Sequence, residues 1–262
     1  MNIVIGNTSQ QSYYYPDDYI KMSSRNIDLD YLSSKRFESA YITFAEQRIY
    51  ESNIDYITPN FRYTLDVIDK LLDKTDKIVI FTSCELWSNK SGVITNVTQP
   101  DFDISNKYTI SKLLLLEEIK RLRKYDKRYN KVVIIHPFYF NSIHRSKYFL
   151  FGKIFDSIIN EKHIEVGNLD FYRDMVHTKF LVKKCIEIDQ DSVVGSGKLF
   201  NVRDFVIDLY DSFGMKYGVY VKEDRNSIPN DKLIRADVKW DYSYRDLLEE
   251  TINDLKTNKG NG

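Results

Sequence analysis

The sequence predicts an α/β fold built on a doubly wound parallel sheet. Over roughly the first 140 residues, short apolar runs alternate with longer segments of helical spacing, which is the pattern of repeated βαβ units. The chain has 262 residues, of which 42% are hydrophobic, so it can bury a full core without disulfides or metals.

Each element follows from its local pattern. Apolar runs bounded by polar or turn residues predict five strands, at 2–6, 18–24, 39–45, 77–83 and 131–138. Apolar residues at helical spacing predict helices over 60–75 and 105–126. Pro16 follows the first strand so closely that we expect only a very short helix there. Five strands in this alternation predict a Rossmann-like sheet.

Beyond Pro137 the pattern loosens into short strands, loops and helices. We therefore expect a dinucleotide-binding Rossmann domain over 1–140 and a mainly substrate-binding region over 141–262. No Gly/Ser-rich linker separates the two, so they are expected to share a core. Open α/β sheets bind their ligands at the carboxyl ends of the strands, and the second region would cover that edge.

The composition argues against several classes of function. Lys plus Arg and Asp plus Glu both number 38, so no net charge draws the chain to nucleic acid or to an anionic membrane. The longest apolar runs fall short of the roughly 20 residues of a membrane span, and no signal-peptide pattern is present, which predicts a cytoplasmic protein. The spacing of Cys84 and Cys185 predicts free thiols and no metal site. The basic run at 120–131 is expected to be a solvated helix end rather than a polyanion site.

The segment "YTISKLLLLEEIK" places Tyr108 four residues before Lys112 on a predicted helix. This spacing puts both side chains on one helix face, about 5 to 6 Å apart at Cβ. A free phenol has a pKa near 10, and a neighbouring ammonium favours its charged form, so such a pair can move protons. In a chain with 20 tyrosines the spacing also arises by chance, and its context has to decide.

That context is the segment "VIFTSCELW", in which a predicted buried strand ends at Ser83 and is followed by Glu85 and Trp87. With the YxxxK pair about 25 residues later, the chain resembles an extended short-chain dehydrogenase/reductase, a member of the NAD-dependent epimerase/dehydratase family. The resemblance extends over nearly the whole chain. Its other landmarks are Gly6, "FAEQ" at 44–47, Asn60, "HPF" at 136–138 and "VGNLDFYRDMVHTKFLV" at 166–182. The last stretch is similar to GDP-mannose 4,6-dehydratases.

The resemblance implies an NAD(P)-dependent enzyme that modifies a nucleotide sugar through a 4-keto intermediate, as a dehydratase, epimerase or reductase. It gives Ser83, Tyr108 and Lys112 the roles of the family's catalytic triad, and it places Glu85 at the position of a general base. Glu85 is equally compatible with a solvated loop carboxylate. The substrate-binding residues that the resemblance implies are Ser83, Cys84, Glu85, Asn141 and Arg173. Arg173 would bind the substrate diphosphate, although a local ion pair between Arg173 and Asp174 is equally compatible with the sequence.

The segment expected to bind the cofactor phosphates, "GNTSQQS", departs from the family's G-x-x-G-x-x-G pattern. Gly6 is kept, whereas Ser9 and Ser12 replace the other two glycines; a position that needs φ above zero would be strained by roughly 1 kcal/mol or more. The turn also resembles the "GKTGQ" turn of dTDP-4-dehydrorhamnose reductases. The cofactor-binding residues implied are Gly6, Thr8, Ser9, Gln10, Gln11, Arg25, Phe44, Ala45, Asn60, Tyr108, Lys112 and Pro137. Arg25 favours NADP over NAD, because it can meet a 2′-phosphate.

Two classes of function remain open at this point. The first is the NAD(P)-dependent nucleotide-sugar enzyme, and the second is a non-catalytic binding or regulatory relative with impaired cofactor binding, suggested by the lost glycines. The joint presence of Ser83, Tyr108 and Lys112 favours the enzyme. The resemblance also implies a homodimer that forms through the helices around 60–75 and 105–125.

Overall fold

The computed structural model describes residues 1–48, 53–228 and 232–259. The chain forms two compact units. The first unit comprises Met1–Ser88, Asn96–Pro137 and Val182–Val193. The second unit comprises Asn89–Thr95, Phe138–Leu181 and Val194–Gly262. Each unit therefore takes in segments that lie on the other side of residue 140.

The strands are β1 (Asn2–Ile5), β2 (Ile20–Met22), β3 (Phe37–Ile42), β4 (Thr75–Phe81), β5 (Gly92–Ile94), β6 (Val132–Pro137), β7 (Tyr139–Asn141), β8 (Ile164–Val166), β9 (Tyr172–Arg173), β10 (Met175–His177), β11 (Ser192–Val194), β12 (Phe200–Asn201), β13 (Val221–Glu223) and β14 (Ile234–Ala236). The helices are α1 (Leu29–Ser34), α2 (Tyr63–Leu71), α3 (Lys107–Tyr125), α4 (Leu150–Asn160), α5 (Thr178–Glu187), α6 (Val202–Asp211), α7 (Tyr217–Tyr220) and α8 (Tyr244–Lys259).

The first unit is organised by a six-stranded sheet in the order β11-β6-β4-β3-β1-β2. The pairs β1 with β2, β1 with β3, β3 with β4, and β4 with β6 are all parallel. Their register sets Ile5 opposite Ile42, Ile42 opposite Ile80, and Ile80 opposite Ile134. Because these positions are close to the carboxyl ends of their strands, the loops that follow emerge along one edge of the sheet.

The five predicted strands are confirmed, with shifted bounds. The third ends at Ile42 instead of residue 45, and the fourth ends at Phe81 instead of residue 83. The sixth strand, β11, comes from beyond the predicted boundary at residue 140 and pairs with β6. Its three residues are too few to give a periodic signal, and only the pairing with β6 makes it a strand.

The segment between β1 and β2 contains only one short 3₁₀ helix, Ser12–Tyr14, which confirms the prediction made from Pro16. Tyr15 follows and is buried, with its ring centroid 4.6 Å from that of Tyr41. Aromatic packing therefore covers this part of the sheet where a long helix would otherwise lie.

The helix predicted over 60–75 consists of two consecutive parts and ends before residue 75. One π-helical turn spans Thr58–Arg62, α2 follows, and β4 already begins at Thr75. Inside the turn, the buried side chain of Asn60 accepts a hydrogen bond from the backbone N–H of Glu46 at 2.7 Å and donates one to its carbonyl at 3.0 Å. These bonds fix the start of the helix against the chain that leaves β3.

The second unit contains four two-stranded pairs: β7 with β10, β12 with β9, β13 with β8, and β14 with β5. At its centre, the buried carboxylate of Asp174 accepts hydrogen bonds from the backbone N–H groups of Ser196, Gly197 and Ala236 and from the Ser196 hydroxyl. Burial raises the pKa of Asp174, and these bonds partly offset that effect. A Cβ at Gly195 would lie 2.7 Å from the carboxylate, so this position has no room for a larger residue.

None of the described helices is long and apolar enough to cross a membrane. Neither Cys84 nor Cys185 forms a disulfide, as predicted, and both are buried. Arginines of the basic run form ion pairs with acidic residues. Arg121 pairs with Glu118, while Arg123 forms a two-point ion pair with Asp191.

Candidate active site

Ser83 lies just beyond the carboxyl end of β4, where the chain turns into the one-turn 3₁₀ helix Cys84–Trp87. Its hydroxyl oxygen caps this turn by accepting the backbone N–H of Glu85 at 3.2 Å. Ser83 and Cys84 are buried, whereas Glu85 is half-buried. The turn thus holds a hydroxyl and a carboxylate side by side at the sheet edge.

Tyr108 and Lys112 lie on the first two turns of α3, which begins after Asn106. The Asn106 side chain caps the helix by accepting the N–H of Thr109 at 3.2 Å. The Lys112 Nζ atom lies 6.0 Å from the centroid of the Tyr108 ring. The spacing predicted from sequence therefore brings the ammonium and the aromatic ring together.

Lys112 also reaches the end of β4. Its Nζ donates a hydrogen bond to the carbonyl oxygen of Phe81 at 3.0 Å, and the side chain is only 3% exposed. Burial lowers the pKa of Lys112 to about 8, because the charged form loses its hydration. Phe81 precedes Ser83 by two residues, so this one contact connects the helix that carries Tyr108 with the strand end that carries Ser83.

Tyr108 is positioned by contacts to its ring and to its backbone. It packs edge-on against Tyr56, with ring centroids 6.3 Å apart. The Ser111 hydroxyl donates to the Tyr108 carbonyl at 2.6 Å and accepts from the Asn60 amide at 3.0 Å. Asn60 thus links the loop after β3 to α3. The Asn60 side chain therefore contributes to the site indirectly, through its bonds to the Glu46 backbone and to the Ser111 hydroxyl.

The turn after β1 requires glycine at its first position. Gly6 has a φ of +117°, and a Cβ there would lie 2.7 Å from Thr43 Oγ1 and 2.9 Å from the backbone nitrogen of Phe44. Neither Ser9 nor Ser12 adopts a positive φ, so the strain that a positive φ would cause at these serines does not arise. The turn has a different path, and serine fits it without a backbone penalty.

The residues of this turn fit a dinucleotide. Among the described residues, the backbone N–H groups of Thr8 and Gln11 have no hydrogen-bond acceptor. The Gln11 side chain is 5% exposed, and its Oε1 atom is buried without a hydrogen-bond partner in the described part of the chain. Gln10 is buried beside it. Unpaired N–H groups suit phosphate oxygens, and a buried acceptor suits a sugar hydroxyl.

The other predicted cofactor residues follow neighbouring strands. Arg25 is exposed three residues past β2, and its backbone N–H donates to Ser23 Oγ. Phe44 and Ala45 are half-buried past β3, and the Phe44 ring lies 5.7 Å from that of Tyr63. Pro137 is buried as the last residue of β6.

His136 belongs to the core beside the site. Its ring bonds to the Thr82 hydroxyl and meets Trp87 edge-on at 5.2 Å between ring centroids. Burial lowers the pKa of His136 to about 4, so the ring is neutral at pH 7.

Two predicted substrate residues lie in the second unit. Asn141 ends β7, half-buried, in register with His177 of β10. The guanidinium carbon of buried Arg173 lies 4.6 Å from the Phe171 ring centroid and 4.9 Å from that of Tyr139. These two cation–π contacts restrict the position of its donor groups.

Sequence reasoning missed three residues that shape the site, namely Thr43, Tyr56 and Ser111. Thr43 was assigned to the interior of a strand that in fact ends one residue earlier. The other two act through contacts with residues distant in sequence, which no local pattern indicates.

No protein-family model and no curated protein sequence matches the chain. Solved structures match it over nearly its full length. RMD from Pseudomonas aeruginosa, complexed with NADPH, has a TM-score of 0.77 at 14% identity, covering 98% of this chain and 99% of that chain. The dTDP-glucose 4,6-dehydratase DesIV from Streptomyces venezuelae, with NAD bound, has a TM-score of 0.75 at 15% identity, covering 99% and 98%. The Helicobacter pylori ADP-L-glycero-D-manno-heptose-6-epimerase has a TM-score of 0.74 at 12% identity, covering 99% and 96%.

This likeness shows the fold. It confirms the Rossmann-like α/β architecture predicted from the sequence.

Proposed function

We propose that this chain is a nicotinamide-dinucleotide-dependent enzyme that modifies a nucleotide sugar through a 4-keto intermediate. The observation that carries the proposal is the hydrogen bond from Lys112 to the Phe81 carbonyl at 3.0 Å. It keeps a buried ammonium 6.0 Å from the Tyr108 ring and beside the strand end that leads to Ser83. Proton transfer at a sugar oxygen needs this combination of a phenol, a nearby cation and a hydroxyl donor.

Each of the three residues has a distinct role in this proposal. Ser83 hydrogen-bonds the reacting sugar oxygen, Tyr108 exchanges a proton with that oxygen, and Lys112 favours the charged form of the phenol and binds the nicotinamide ribose. The residues that would hold the dinucleotide are those of the turn after β1 together with Arg25, Phe44, Ala45, Asn60 and Pro137. Hydride transfer to or from the sugar carbon is the chemistry that the dinucleotide supplies when bound.

Glu85 distinguishes the possible reactions. A keto group at C4 makes the neighbouring C5 proton acidic, and a carboxylate next to Ser83 is able to remove it, which leads to dehydration or epimerisation. Glu85 is half-buried on the turn that Ser83 caps, which supports this role. The similarity of the turn at Thr8 and Gln10 to that of dTDP-4-dehydrorhamnose reductases supports simple reduction instead.

The remaining assignments extend the same proposal. Arg25, exposed beyond β2, would select NADP over NAD; solved structures of this fold include one with NADPH and one with NAD. Arg173 and Asn141 would bind the substrate, with the guanidinium of Arg173 directed to the diphosphate. We further propose a cytoplasmic homodimer that forms through α2 and α3, with dinucleotide binding mainly in 1–140 and substrate binding mainly in 141–262.

A second candidate is a non-catalytic relative that binds a partner or ligand and holds the dinucleotide poorly. The three-residue helix Ser12–Tyr14 favours it, because a long helix after the first strand normally directs its positive dipole end to the pyrophosphate. The buried Lys112 favours the enzyme, because leaving an ammonium 3% exposed costs stability that a purely structural residue would not require.

The proposal is tested by incubating the purified protein with two panels, nucleotide sugars together with NAD+ or NADP+, and nucleotide-linked 4-keto sugars together with NADPH. Consumption of NADPH in proportion to product identifies a reductase, whereas product without net consumption identifies a dehydratase or an epimerase. If the protein forms no product and binds neither NADPH nor NADH in calorimetric titration, the enzyme proposal is wrong and the second candidate stands.

A further inference from the structure

The turn after β1 is held from the inside by a chain of hydroxyl groups. The Ser9 hydroxyl donates to Thr43 Oγ1 at 2.8 Å. The Thr43 hydroxyl in turn lies 3.2 Å from each of the carbonyl oxygens of Ile5 and Gly6, and its single proton is shared between them. Hydrogen bonds linked in this way polarise and strengthen one another.

Ser12 closes the other end of the turn. Its hydroxyl lies 2.7 Å from each of the carbonyl oxygens of Asn7 and Ser9, and its single proton is shared between them. Its backbone N–H donates to the Ser9 carbonyl at 3.0 Å. The carbonyl oxygens of residues 5, 6, 7 and 9 thus each lie within hydrogen-bond distance of one of these two hydroxyls. Those of Ile5, Gly6 and Ser9 also accept a backbone N–H, from Thr43, Ser9 and Ser12 respectively.

This arrangement decides which backbone groups of the turn remain available. A carbonyl oxygen repels an anion, and an N–H group attracts one. Hydroxyl and backbone donors together engage the carbonyls, while the N–H groups of Thr8 and Gln11 have no acceptor among the described residues. A turn with engaged carbonyls and unpaired amides is suited to an anion.

The buried Oε1 atom of Gln11 is a second, independent observation. It has no donor among the described residues, although the side chain is only 5% exposed. An unpaired buried acceptor costs stability, and a ribose hydroxyl is a donor of the kind it needs. Phosphate and ribose are adjacent groups in a dinucleotide, so the amides and this oxygen fit one ligand.

We propose that Thr43 and Ser12 are positioning residues for the dinucleotide pyrophosphate. Their hydroxyls shape the phosphate-binding turn, a task that glycines and a long helix would otherwise perform. They hold the turn so that the amides of Thr8 and Gln11 bind the phosphate oxygens. The inference rests on the proposed dinucleotide-dependent function and assigns a role to Thr43, which the sequence motifs leave unassigned. Neither hydroxyl touches the reacting atoms.

The test compares Thr43→Val, which removes the hydroxyl at nearly constant shape, with Thr43→Ser, which keeps it. Isothermal titration with NADPH and with ADP is expected to show at least about tenfold weaker binding of both ligands to Thr43→Val, since the turn would contact the diphosphate they share. Thr43→Ser is expected to bind both within about threefold of wild type. Ser12→Ala, measured in parallel, should weaken both ligands in the same direction.

The outcomes separate this inference from the function on which it rests. If wild type binds NADPH and folded Thr43→Val binds it equally well, the positioning role is wrong and the proposed function is unaffected. A variant whose Tm falls while its Kd values stay at the wild-type level also overturns the inference, because that is the signature of a purely structural hydroxyl. If wild type binds neither NADPH nor ADP, both proposals fail together.

Discussion

The Lys112 ammonium donates a hydrogen bond to the carbonyl oxygen of Phe81 at 3.0 Å, across a sequence separation of 31 residues. The carbonyl belongs to the last residue of β4, where the parallel strand meets the sheet edge. The contact draws the first two turns of α3 onto that edge. A buried cation consequently lies 6.0 Å from the centroid of the Tyr108 ring and 3.0 Å from the strand end that precedes Ser83.

Replacing Tyr108 by Phe tests the proton transfer assigned to the phenol. We expect kcat to fall by about a hundredfold or more with little change in KM, because general acid–base catalysis contributes on that scale. Steady-state kinetics with the active sugar substrate measures the effect. Tyr125→Phe is the control, since Tyr125 ends the same helix and is 79% exposed. An unchanged kcat in Tyr108→Phe would contradict the assigned role.

Replacing Arg25 by Ala tests the cofactor preference. A guanidinium that pairs with the 2′-phosphate makes a charge-assisted contact found only with NADPH. We expect about a tenfold increase in the Kd for NADPH and little change for NADH, on the scale of 1.4 kcal/mol per factor of ten. Arg36→Ala is the control, because Arg36 is exposed and pairs with Asp76. Equal changes in the Kd values for NADPH and NADH would show that Arg25 does not recognise the 2′-phosphate.

The buried Lys112 makes stability depend on alkaline pH. Its pKa falls from 10.5 in the unfolded chain to about 8 in the folded protein. Between these values the unfolded chain binds the extra proton, so the free energy of unfolding rises with pH, by up to about 3 kcal/mol. Below pH 8 both states carry the charge and the full cost of burying it persists.

Lys112→Met should remove this pH dependence. Urea unfolding at pH 7 and pH 10 is expected to show wild type gaining stability relative to the variant at the higher pH. Lys120→Met, at a half-buried position where the lysine pairs with Glu117, is expected to behave like wild type. A constant difference between Lys112→Met and wild type at the two pH values would mean that the burial of the ammonium carries no such penalty.

Arg123, in the basic run, is expected to stabilise the folded protein. Arg123 makes two contacts to the Asp191 carboxylate, at 2.6 and 2.8 Å, and Asp191 also accepts the backbone N–H of Ile134 at 2.9 Å. We expect Arg123→Ala to lower the free energy of unfolding by about 2 kcal/mol in denaturant titration, because it leaves a partly buried carboxylate without its cation.

The matched control for this change is Arg121→Ala, two residues away on α3. Arg121 pairs with Glu118 on the exposed surface, where such ion pairs contribute little. We expect no measurable shift of its unfolding midpoint. Equal losses in the two variants would show that the Arg123–Asp191 pair is no more than a surface contact.

Local patterns in the sequence were sufficient for most of the architecture. The apolar runs determined strands β1, β2, β3, β4 and β6, and Pro16 determined that only a short helix lies between β1 and β2. The spacing of Tyr108 and Lys112 determined that they share a helix face. These features depend on residues within a few positions of one another, so the sequence alone expresses them.

Tertiary structure decided what those residues can do. The negative φ of Ser9 and Ser12, the hydroxyl chain through Thr43 and the sixth strand all depend on groups far apart in the chain. The pKa of Lys112 depends on burial, which the packing of the whole sheet unit sets. Sequence periodicity determined which face of a helix carries a lysine; only the fold determined that this lysine meets the end of a strand away from water, because burial and pairing are properties of the assembled core.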